Sequence, residues 1–559
     1  MQKLIACVPN FSEGRDPAVI EAITAEIVAA PGVKLLDVDP GEATNRTVVT
    51  FVGEPEAVIG AAVAAIGTAS ELIDMRHHTG EHPRFGATDV CPLIPVSGVT
   101  MEETVEYAHT LAERLAEAHE LTVYCYERAA RSPGRENLAA VREGEYEGLA
   151  ARLEDPDWLP DYGPATFNAR SGATAVGARG FLVAYNINLN TTSTRRANAI
   201  AFDVRERGRV KRTGDPITGD IELDEAGDKV WIPGSLKAVK GIGWFIEEYG
   251  IAQISMNLTD IDITPVHVAF DEVCRAAAER GVRVTGSELV GLIPLEAMLD
   301  AGRHYLRKQK RSTGVSDDEL IKIAVVSLGL NELSPFDPNE KIIEYAIRDD
   351  IDQLAAMSVR KFVEETASES VAPGGGSVSA NVGALGAALG TMVANLSAHK
   401  RGWDDEWEQF SDWADRGKVC HDELVRLIDR DTEAFNDIMA AFALAARTDA
   451  EQQARAEAIQ AATATAIEVP MRVMEVSLAS MEVIRAMAEI GNPASVSDAG
   501  VGALCARSAV MGAYLNVRIN ASSLTDERVR SGYLEQAELL RDRAIAQEAS
   551  ILEIVETKL

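Results

Sequence analysis

Residues 3–53, "KLIACVPNFSEGRDPAVIEAITAEIVAAPGVKLLDVDPGEATNRTVVTFVG", decide the fold of the first half of the chain. "KLIACVPN" is an apolar run that ends in turn residues, which predicts a strand. "DPAVIEAITAEIVAA" has helical spacing, and Asp16 and Pro17 supply an N-cap and a first-turn proline. "VKLLDVDP" and "RTVVTFVG" are strand-like, and a helical segment and another strand follow. This β-α-β-β-α-β order predicts a split α/β unit with helices on one face of a mixed sheet.

The remaining sequence divides into a second α/β region and a helical region. The alternation restarts near residue 180, where "GARGFLVAYNINL" (177–189) predicts a strand, so two related α/β subdomains with a crevice between them are expected. Residues 208–234, rich in Gly, Asp and Pro, predict a surface hairpin. Beyond about residue 351, apolar residues recur at helical spacing and strand-like runs disappear, which predicts an antiparallel helical bundle. The predicted segments are residues 1–180 and 181–305 (the α/β subdomains), 306–351 (a helical connector) and 352–559 (an all-α domain).

Composition excludes several function classes. With 54 basic and 87 acidic residues the formal charge is −33, which disfavours nucleic-acid binding and requires a local basic pocket for any anionic substrate. The six cysteines show no C-x-x-C spacing, which argues against disulfides and zinc and for a reducing compartment. We find no long apolar leader at the N-terminus, and the apolar stretch 378–396 contains Ser, Asn and Thr, which favours a core helix over a membrane span. A cytoplasmic protein is expected.

The segment "RHHTGEHPRFGATDVCPLIPV" (76–96) concentrates three of the nine histidines in front of an apolar strand. Pro83 biases His82 away from helical geometry, so His82 is expected on a loop that feeds the strand. An imidazole with a pKa near neutrality is suited there to proton transfer. The alternatives are a histidine that only caps a turn, and a zinc site, which Gly80 and Pro83 disfavour because the His78–His82 spacing binds metal on a helix.

Three further stretches carry candidate groups. In "LLDVDPGEATNRTVV" Asp39 could orient an imidazole and Arg46 could bind a carboxylate bidentately, or the segment is simply a solvated turn. Arg179 precedes an apolar strand in "TAVGARGFLVAYNINL". In "SVAPGGGSVSANVGALGAALG" the glycines at 374–376 precede a helix, where exposed N–H groups could bind an anionic or carbonyl oxygen. The alternative there is a flexible hinge before a tightly packed helix.

Motifs spread over residues 1–350 resemble the glutamate formimidoyltransferase half of the formimidoyltransferase-cyclodeaminase family. They include "CVPNFSEGRD", "ATNRTVVTFVG", "IDMRHHTGEHPRFGATDVCPLIPV", "REGEYEGL" and "GIGWFIEEYGIAQISMNLTD". The resemblance implies folate bound between two α/β subdomains and transfer of a formimidoyl group from N-formimidoyl-glutamate to nitrogen-5 of tetrahydrofolate. It also implies a catalytic role for His82 with Asp39, a substrate carboxylate on Arg46, and further site residues Asn45, His77, Arg84 and Arg179. The chain departs from the family at Glu127-Arg128, where a Gly-Glu pair is expected.

Residues 352–559 resemble the cyclodeaminase half of the same family through "APGGGSVSANVGALGAALG", "DRDTEAF", "GNPASVSDAGVGA" and "GAYLNVRIN". The resemblance implies ring closure of 5-formimidoyl-tetrahydrofolate to 5,10-methenyl-tetrahydrofolate with release of ammonia. A buried carboxylate with a raised pKa suits protonation of the leaving amine. The candidates are Asp431 and Asp498 for catalysis, with Gly374, Gly375, Gly376, Asn492, Asn516 and Asn520 as folate contacts.

These expectations extend to partners and leave alternatives open. Tetrahydrofolate is expected as co-substrate, and no metal or nucleic acid is expected. A further hypothesis is that a polyglutamylated folate tail stays bound between the two sites during transfer of the intermediate. The Ala- and Gly-rich helix predicts a homo-oligomer in which the helical domain dimerises. Alternatives are a different donor (formyl-glutamate or formimidoyl-glycine), a helical domain that acts as a methenyl-tetrahydrofolate cyclohydrolase, and a non-enzymatic folate-binding protein with a degenerate site.

Overall fold

The computed structural model describes residues 3–42, 44–80, 83–214, 219–347 and 354–559. These form two compact units, residues 3–301 with 325–347 and residues 302–324 with 354–559. The predicted connector 306–351 is therefore shared between the two units. The first unit holds both α/β subdomains, and the second holds the helical bundle.

The first subdomain is built on a mixed sheet, as predicted. Seven strands form it within the described residues: β1 (Leu4–Cys7), β2 (Asn10–Phe11), β3 (Val33–Gly41), β4 (Arg46–Gly53), β5 (Thr88–Ser97), β6 (Thr122–Glu127) and β7 (Ala173–Ala178). β1 and β2 both lie between β4 and β5, β3 pairs with β4, and β7 joins β5 to β6. Pairs on the β3 side are antiparallel, whereas β5, β7 and β6 run parallel.

Three long helices cover one face of this sheet, and on the other face two short helices pack over the β5–β7–β6 part and leave the β3–β4 part open. The main helices are α1 (Pro17–Ala29), α2 (Pro55–Leu72) and α3 (Met101–His119), with the short α4 (Leu138–Val141) and α5 (Glu145–Arg152) beyond β6. Asp16 caps α1 as predicted, since its side chain accepts from the Ala18 amide at 2.9 Å. On β4, Val49 and Phe51 are fully buried in the core that α1, α2 and α3 complete, and Arg46, Val48 and Thr50 alternate with them. These alternate residues define what we call the open face.

The second subdomain has a four-stranded sheet in the order β11-β12-β8-β13. Its elements are β8 (Val183–Leu189), α6 (Thr194–Val204), β9 (Arg209–Val210), β10 (Trp231–Ile232), β11 (Val239–Ile246), β12 (Ile251–Leu258), α7 (Val266–Ala278) and β13 (Val284–Val290). All of its strand pairs are antiparallel, α6 and α7 pack on one face, and β9 pairs with β10 as the predicted hairpin. The prediction of one strand over 177–189 is wrong. Residues 173–178 and 183–189 are separate strands in different sheets, because the chain leaves the first sheet after Ala178.

The second unit is a bundle of long helices, which follow α8 (Leu295–Lys308), α9 (Asp317–Leu328), α10 (Pro338–Lys341) and α11 (Ile343–Ala346) along the chain. The bundle helices are α12 (Val359–Thr366), α13 (Gly375–Ala398), α14 (Trp407–Ala443), α15 (Asp449–Ile490), α16 (Val496–Ala521) and α17 (Glu527–Glu556). The central helix α13 packs against α14, α15 and α16. Close packing depends on small residues, since a Cβ at Gly386 would lie 2.9 Å from the Gly502 carbonyl oxygen.

Helix α13 is also the one described helix whose length and composition could cross a membrane. Of its most apolar window, 61% is buried inside the bundle, which is usual for a core helix. Its small-residue face, which includes Gly383 and Gly386, packs on other helices of the same chain. That face is therefore not available for the dimer contact predicted from it.

Candidate functional site

The histidine loop is anchored by Asn45, which is 7% exposed. Its side-chain oxygen accepts from the Gly14 amide at 3.0 Å, and its Nδ2 donates to the Thr79 carbonyl at 3.1 Å. Its carbonyl lies 2.9 Å from His78 Nε2, and its φ of 49° is one that asparagine tolerates. The side chain of Asn45, a predicted site residue, is thus engaged in holding the loop over residues 76–80.

The rest of the loop is only partly described. His82 and Glu81 lie outside the described residues, so the catalytic role of His82 stays a prediction. His77 is exposed. The guanidinium of Arg84 binds two carboxylates of α5, Glu145 at 3.0 Å and Glu147 at 2.7 Å. Arg84 therefore ties the loop to α5, and these ion pairs occupy the group that was predicted to bind substrate.

The open face carries a buried charged cluster. The carboxylate of Asp89, 1% exposed, is paired with the Arg142 guanidinium and accepts from the Phe85 amide at 3.2 Å. The register of β5 shifts between Asn10 and Phe11 of its neighbour β2, beside Asp89. Burial lowers the pKa of Arg46 to about 10, the Asp89 charge opposes this shift, and Arg142 adds to it.

Three guanidinium groups surround the phenol of Tyr126. Arg142 and Arg179 both lower its pKa, which burial nevertheless raises to about 12, and Arg46 interacts with it as well. A Cβ at Gly177 would lie 2.5 Å from the Tyr126 ring, so only glycine leaves room for the ring there. In a chain of net charge −33 this cluster is a local concentration of positive charge, which an anionic substrate needs. Arg46 and Arg179, predicted separately from distant segments, are brought together here.

Asp39 lies close to this cluster on the same face. It is exposed on β3 opposite Val48, and Arg46 lies two residues before Val48 on the paired strand. At the far edge, Glu127 has a φ of 53°, in the left-handed region that favours glycine. The glycine that the resemblance implies at position 127 would suit this backbone conformation, and the glutamate present there departs from it. Burial raises the pKa of Glu127, and nearby Arg179 and Lys240 oppose that rise.

The second cluster lies at the N-terminus of α13. Asp431 on α14 accepts from the Ser377 amide at 2.9 Å and from the Ser377 hydroxyl at 3.1 Å, so it caps α13 from a neighbouring helix. Burial raises the pKa of Asp431, and its bonds to Ser377 oppose the rise. A Cβ at Gly376 would lie 2.0 Å from Asp431 Oδ1. The glycines therefore allow the carboxylate to approach the helix end.

The two asparagines of α16 differ in their surroundings. Asn516 Nδ2 donates to the Gly512 carbonyl at 3.0 Å, and the side chain lies 3.4 Å from a Cβ built on Gly375, beside the Asp431 cluster. Asn520 Nδ2 donates to the Ala466 carbonyl at 2.7 Å. Pro470, four residues later in α15, has no N–H to give that carbonyl. Asn520 thus satisfies a carbonyl that the proline leaves without its helical donor.

Asn492 lies at the opposite end of α13, and Asp498 follows it in the first turn of α16. The Asn492 amide donates to the Ser397 hydroxyl at 2.8 Å, and its side chain caps the following turn at Ala494. Twenty residues of helix separate Ser377 from Ser397, a length of roughly 30 Å. Within one chain, therefore, the predicted residues do not form one site. Gly374–Gly376, Asp431 and Asn516 come together, whereas Asn492 belongs to the other end of α13 and Asp498 to the start of α16.

Sequence reasoning missed Arg142 and Ser377 as site residues. Arg142 lies directly before "EGEYEGL" and Ser377 directly after "PGGG", so both belonged to motifs that had been recognised. Neither could be placed opposite its carboxylate without the fold, since Asp89 and Asp431 are 53 and 54 residues away. Among the described residues no group of three or more His, Cys, Asp or Glu side chains could hold a metal ion.

Known protein families and relatives match the chain along nearly its full length. Family models for "Formiminotransferase domain, N-terminal subdomain", "Formiminotransferase domain" and "Formiminotransferase-cyclodeaminase" match residues 4–179, 184–348 and 358–539. Formimidoyltransferase-cyclodeaminase of Gallus gallus is 43% identical over 560 residues, which cover 100% of both chains.

Shorter relatives match the two units separately. Glutamate formimidoyltransferase of Streptococcus pyogenes serotype M1 is 39% identical over 307 residues, 55% of this chain and 94% of its own. Methenyltetrahydrofolate cyclohydrolase of Methylorubrum extorquens is 35% identical over 201 residues, 36% of this chain and 97% of its own.

Proposed function

The chain belongs to the formimidoyltransferase-cyclodeaminase family, and we propose that it moves a formimidoyl group from N-formimidoyl-L-glutamate to nitrogen-5 of tetrahydrofolate and then closes the methenyl ring. The observation that carries the first step is the basic cluster of Arg46, Arg142 and Arg179 on the open face. Arg142 is paired with Asp89, so we assign the carboxylates of the acidic donor to Arg46 and Arg179. We assign Asp39, which lies on the same face as that cluster, to act on the reacting nitrogen or to orient an imidazole.

The transfer step needs proton movement in both directions. Nitrogen-5 of the folate attacks the amidine carbon and must lose a proton, and the glutamate nitrogen must gain one as its bond to that carbon breaks. We assign both transfers to His82, because one imidazole can act as base and then as acid near neutral pH.

The cyclisation step is assigned to the cluster at the N-terminus of α13. Nitrogen-10 attacks the formimidoyl carbon and loses its proton, and the former imino nitrogen gains protons and leaves as ammonia as its bond to that carbon breaks. We assign this protonation to the carboxyl of Asp431, whose pKa is raised by burial. The nearby Asn516 supplies polar atoms for orientation of the folate, and the buried Ser377 hydroxyl holds Asp431.

One coupled assay tests the two steps separately. The protein is mixed with tetrahydrofolate and formimidoyl-glutamate, and methenyl-folate absorbance and ammonia are followed. Asp431→Asn should accumulate 5-formimidoyl-tetrahydrofolate without ring closure, whereas His82→Ala should cyclise only supplied intermediate. Asp429→Asn is the matched control, since Asp429 lies on the same helix but accepts from the Leu354 amide. Normal cyclisation by Asp431→Asn would refute the assignment.

A second activity of the helical unit has its own support. The cyclohydrolase relative matches 36% of this chain over 201 residues, about the length of the helical unit, and hydrolysis of the methenyl bridge breaks a carbon–nitrogen bond at the same folate position. The assay is incubation with supplied 5,10-methenyl-tetrahydrofolate in the absence of ammonia. Loss of its absorbance catalysed by the protein would establish the cyclohydrolase, and an unchanged spectrum would leave cyclodeamination as the activity of this unit.

Self-association through the helical unit is part of the proposal. Leu385, Met392 and Leu396 lie on one side of α13, and Val501, Leu504, Leu515 and Ile519 lie on the same side of its antiparallel neighbour α16. These seven side chains are 38–68% exposed, and we call them the apolar face. A second copy would bury the face against itself around a two-fold axis. Leu504→Glu should lower the mass in sedimentation, and Leu539→Glu, exposed on α17, is the control.

We also propose a cytoplasmic location and no requirement for a metal. All six cysteines are free thiols, which agrees with a reducing compartment. Cell fractionation tests the location, and full activity after dialysis against a chelator tests the metal.

A further inference from the structure

Helix α14 extends past the N-terminus of α13, and the steps above give no role to its exposed side chains there. As far as Asp431, one side of α14 packs on α13. Leu424 lies 3.3 Å from a Cβ built on Gly383, and the Ile428 carbonyl accepts from the Ser377 hydroxyl at 2.9 Å. Ser377 belongs to the first turn of α13, so the rest of α14, about 18 Å of helix, continues beyond that turn.

The same side of α14 continues beyond α13 as three exposed apolar side chains, Phe435, Met439 and Phe442. They follow Leu424 by about three, four and five helical turns, so they lie on its side of the helix. They are 39%, 53% and 49% exposed, whereas Leu424 is fully buried. Single exposed apolar residues are common on proteins, but a run of them at helical spacing indicates a surface that another group covers. We call these three residues the distal stripe.

Asp431 stands at the near end of the distal stripe. It precedes Phe435 by four residues, and side chains at this spacing have their Cβ atoms about 5–6 Å apart on one side of a helix. The Asp431 carboxylate is held at the end of α13, because it accepts from the Ser377 amide at 2.9 Å. Phe435 is therefore an exposed aromatic ring one turn beyond the acid that we assign to the cyclisation step.

Ring closure determines which part of the substrate lies beside the acid. Nitrogen-10 is the attacking atom, and in a folate it is bonded directly to the benzene ring of the p-aminobenzoyl group. That ring is therefore next to the reacting carbon in every geometry that allows the new bond to form. Aromatic rings pack favourably with their centres about 4.5–7 Å apart, a distance that a side chain one helical turn from the acid can reach.

We propose that Phe435 packs against the p-aminobenzoyl ring of 5-formimidoyl-tetrahydrofolate and makes the helical unit selective for substrates that carry an aromatic group on nitrogen-10. Met439 and Phe442 continue the apolar surface past that ring. The substrate, rather than a second copy of the chain, is assigned to the distal stripe because the stripe begins one turn from Asp431 and on the same side of α14. The inference rests on the proposed function, which supplies the folate and places the acid at Asp431.

The first test is steady-state kinetics of the full chain with supplied 5-formimidoyl-tetrahydrofolate. Phe435→Leu keeps an apolar side chain but removes the ring, so it should raise KM for cyclisation about two- to tenfold and leave both KM values of the transfer step unchanged. Phe435→Tyr keeps the ring and should retain the original KM. Val419→Ala is the control, because Val419 is exposed on another side of α14. An unchanged KM in Phe435→Leu, or an equal rise in Val419→Ala, would overturn the proposal.

A second test changes the substrate and separates failure of this inference from failure of the proposed function. The analogue carries a methyl group on nitrogen-10 in place of the p-aminobenzoyl-glutamate group. The ratio of kcat/KM for the two substrates should be about two- to tenfold smaller in Phe435→Leu than in the unaltered protein, and their different intrinsic reactivities cancel in this comparison.

Three outcomes would contradict the proposal. Equal ratios in the two proteins would refute the role of Phe435 while cyclisation persists. An unaltered protein that cyclises neither substrate would refute the proposed function of the helical unit and the inference with it. Equal ratios together with a lower mass of Phe435→Leu in sedimentation would assign the distal stripe to a second copy of the chain.

Discussion

Replacement of Asn520 by alanine should destabilise the helical unit because it removes the donor to the Ala466 carbonyl. Ala466 is 7% exposed, the bond length is 2.7 Å, and Pro470 cannot supply the missing N–H. A buried acceptor without a partner costs about 1–3 kcal/mol. We therefore expect Asn520→Ala to lower the free energy of unfolding by this amount.

A double-mutant cycle tests the reasoning. Pro470→Ala restores an N–H four residues after Ala466, so in that background Asn520→Ala should cost only about 0.5–1 kcal/mol. Urea unfolding of the four proteins, followed by circular dichroism of the helices, gives the coupling from the midpoints and slopes. Equal costs in both backgrounds would refute the account. If Asn520 is a folate contact instead, Asn520→Ala will raise KM for 5-formimidoyl-tetrahydrofolate and leave the unfolding midpoint unchanged.

Three more predictions concern the two sites. Gly376→Ala should lower the free energy of unfolding by about 1–3 kcal/mol and abolish cyclisation, because its Cβ would lie 2.0 Å from Asp431. Gly375→Ala is the control, because its Cβ would come no nearer than 3.4 Å to another side chain, and thermal melting should show that it folds normally. Burial raises the folded-state pKa of Asp431, so the stabilisation that its protonated form provides should be lost as pH rises from about 4. The melting temperature of the unaltered protein should therefore fall relative to that of Asp431→Asn over this range. A difference in melting temperature that does not change with pH would contradict this. Asn45→Asp sets an oxygen against the Thr79 carbonyl at a cost of about 1–3 kcal/mol, so it should slow transfer but not cyclisation of supplied intermediate. A transfer rate equal to that of the unaltered protein would contradict this prediction.

The local elements were largely predictable because their signals are short-range. Asp16 and Pro17 fixed the start of α1, and apolar spacing placed α2 and the long bundle helices. The prediction over 177–189 failed at a sheet boundary, where two apolar strands follow each other with four residues between them and periodicity cannot assign them to different sheets.

The candidate residues also divide into those that the sequence could identify and those whose roles only the structure showed. Asp39, Arg46, Arg179 and Asp431 could be selected by residue type and motif, and the fold places each of them at a cluster of charged or polar groups. The use of Arg84 in ion pairs and of Asn520 beneath a proline could not be foreseen, because each depends on a partner far along the chain.

The sequence by itself determined the family, the two α/β regions, the helical bundle and the residue types available for chemistry, since these follow from periodicity, capping and motif. Only the tertiary structure decided which of those residues meet. It gathers three arginines near Tyr126, sets Asp431 against the N-terminus of α13 and leaves Asn492 at the other end of that helix, roughly 30 Å away. The physical reason is that burial, charge coupling and hydrogen bonding act between groups close in space, and closeness across dozens of residues is fixed by strand register and helix packing.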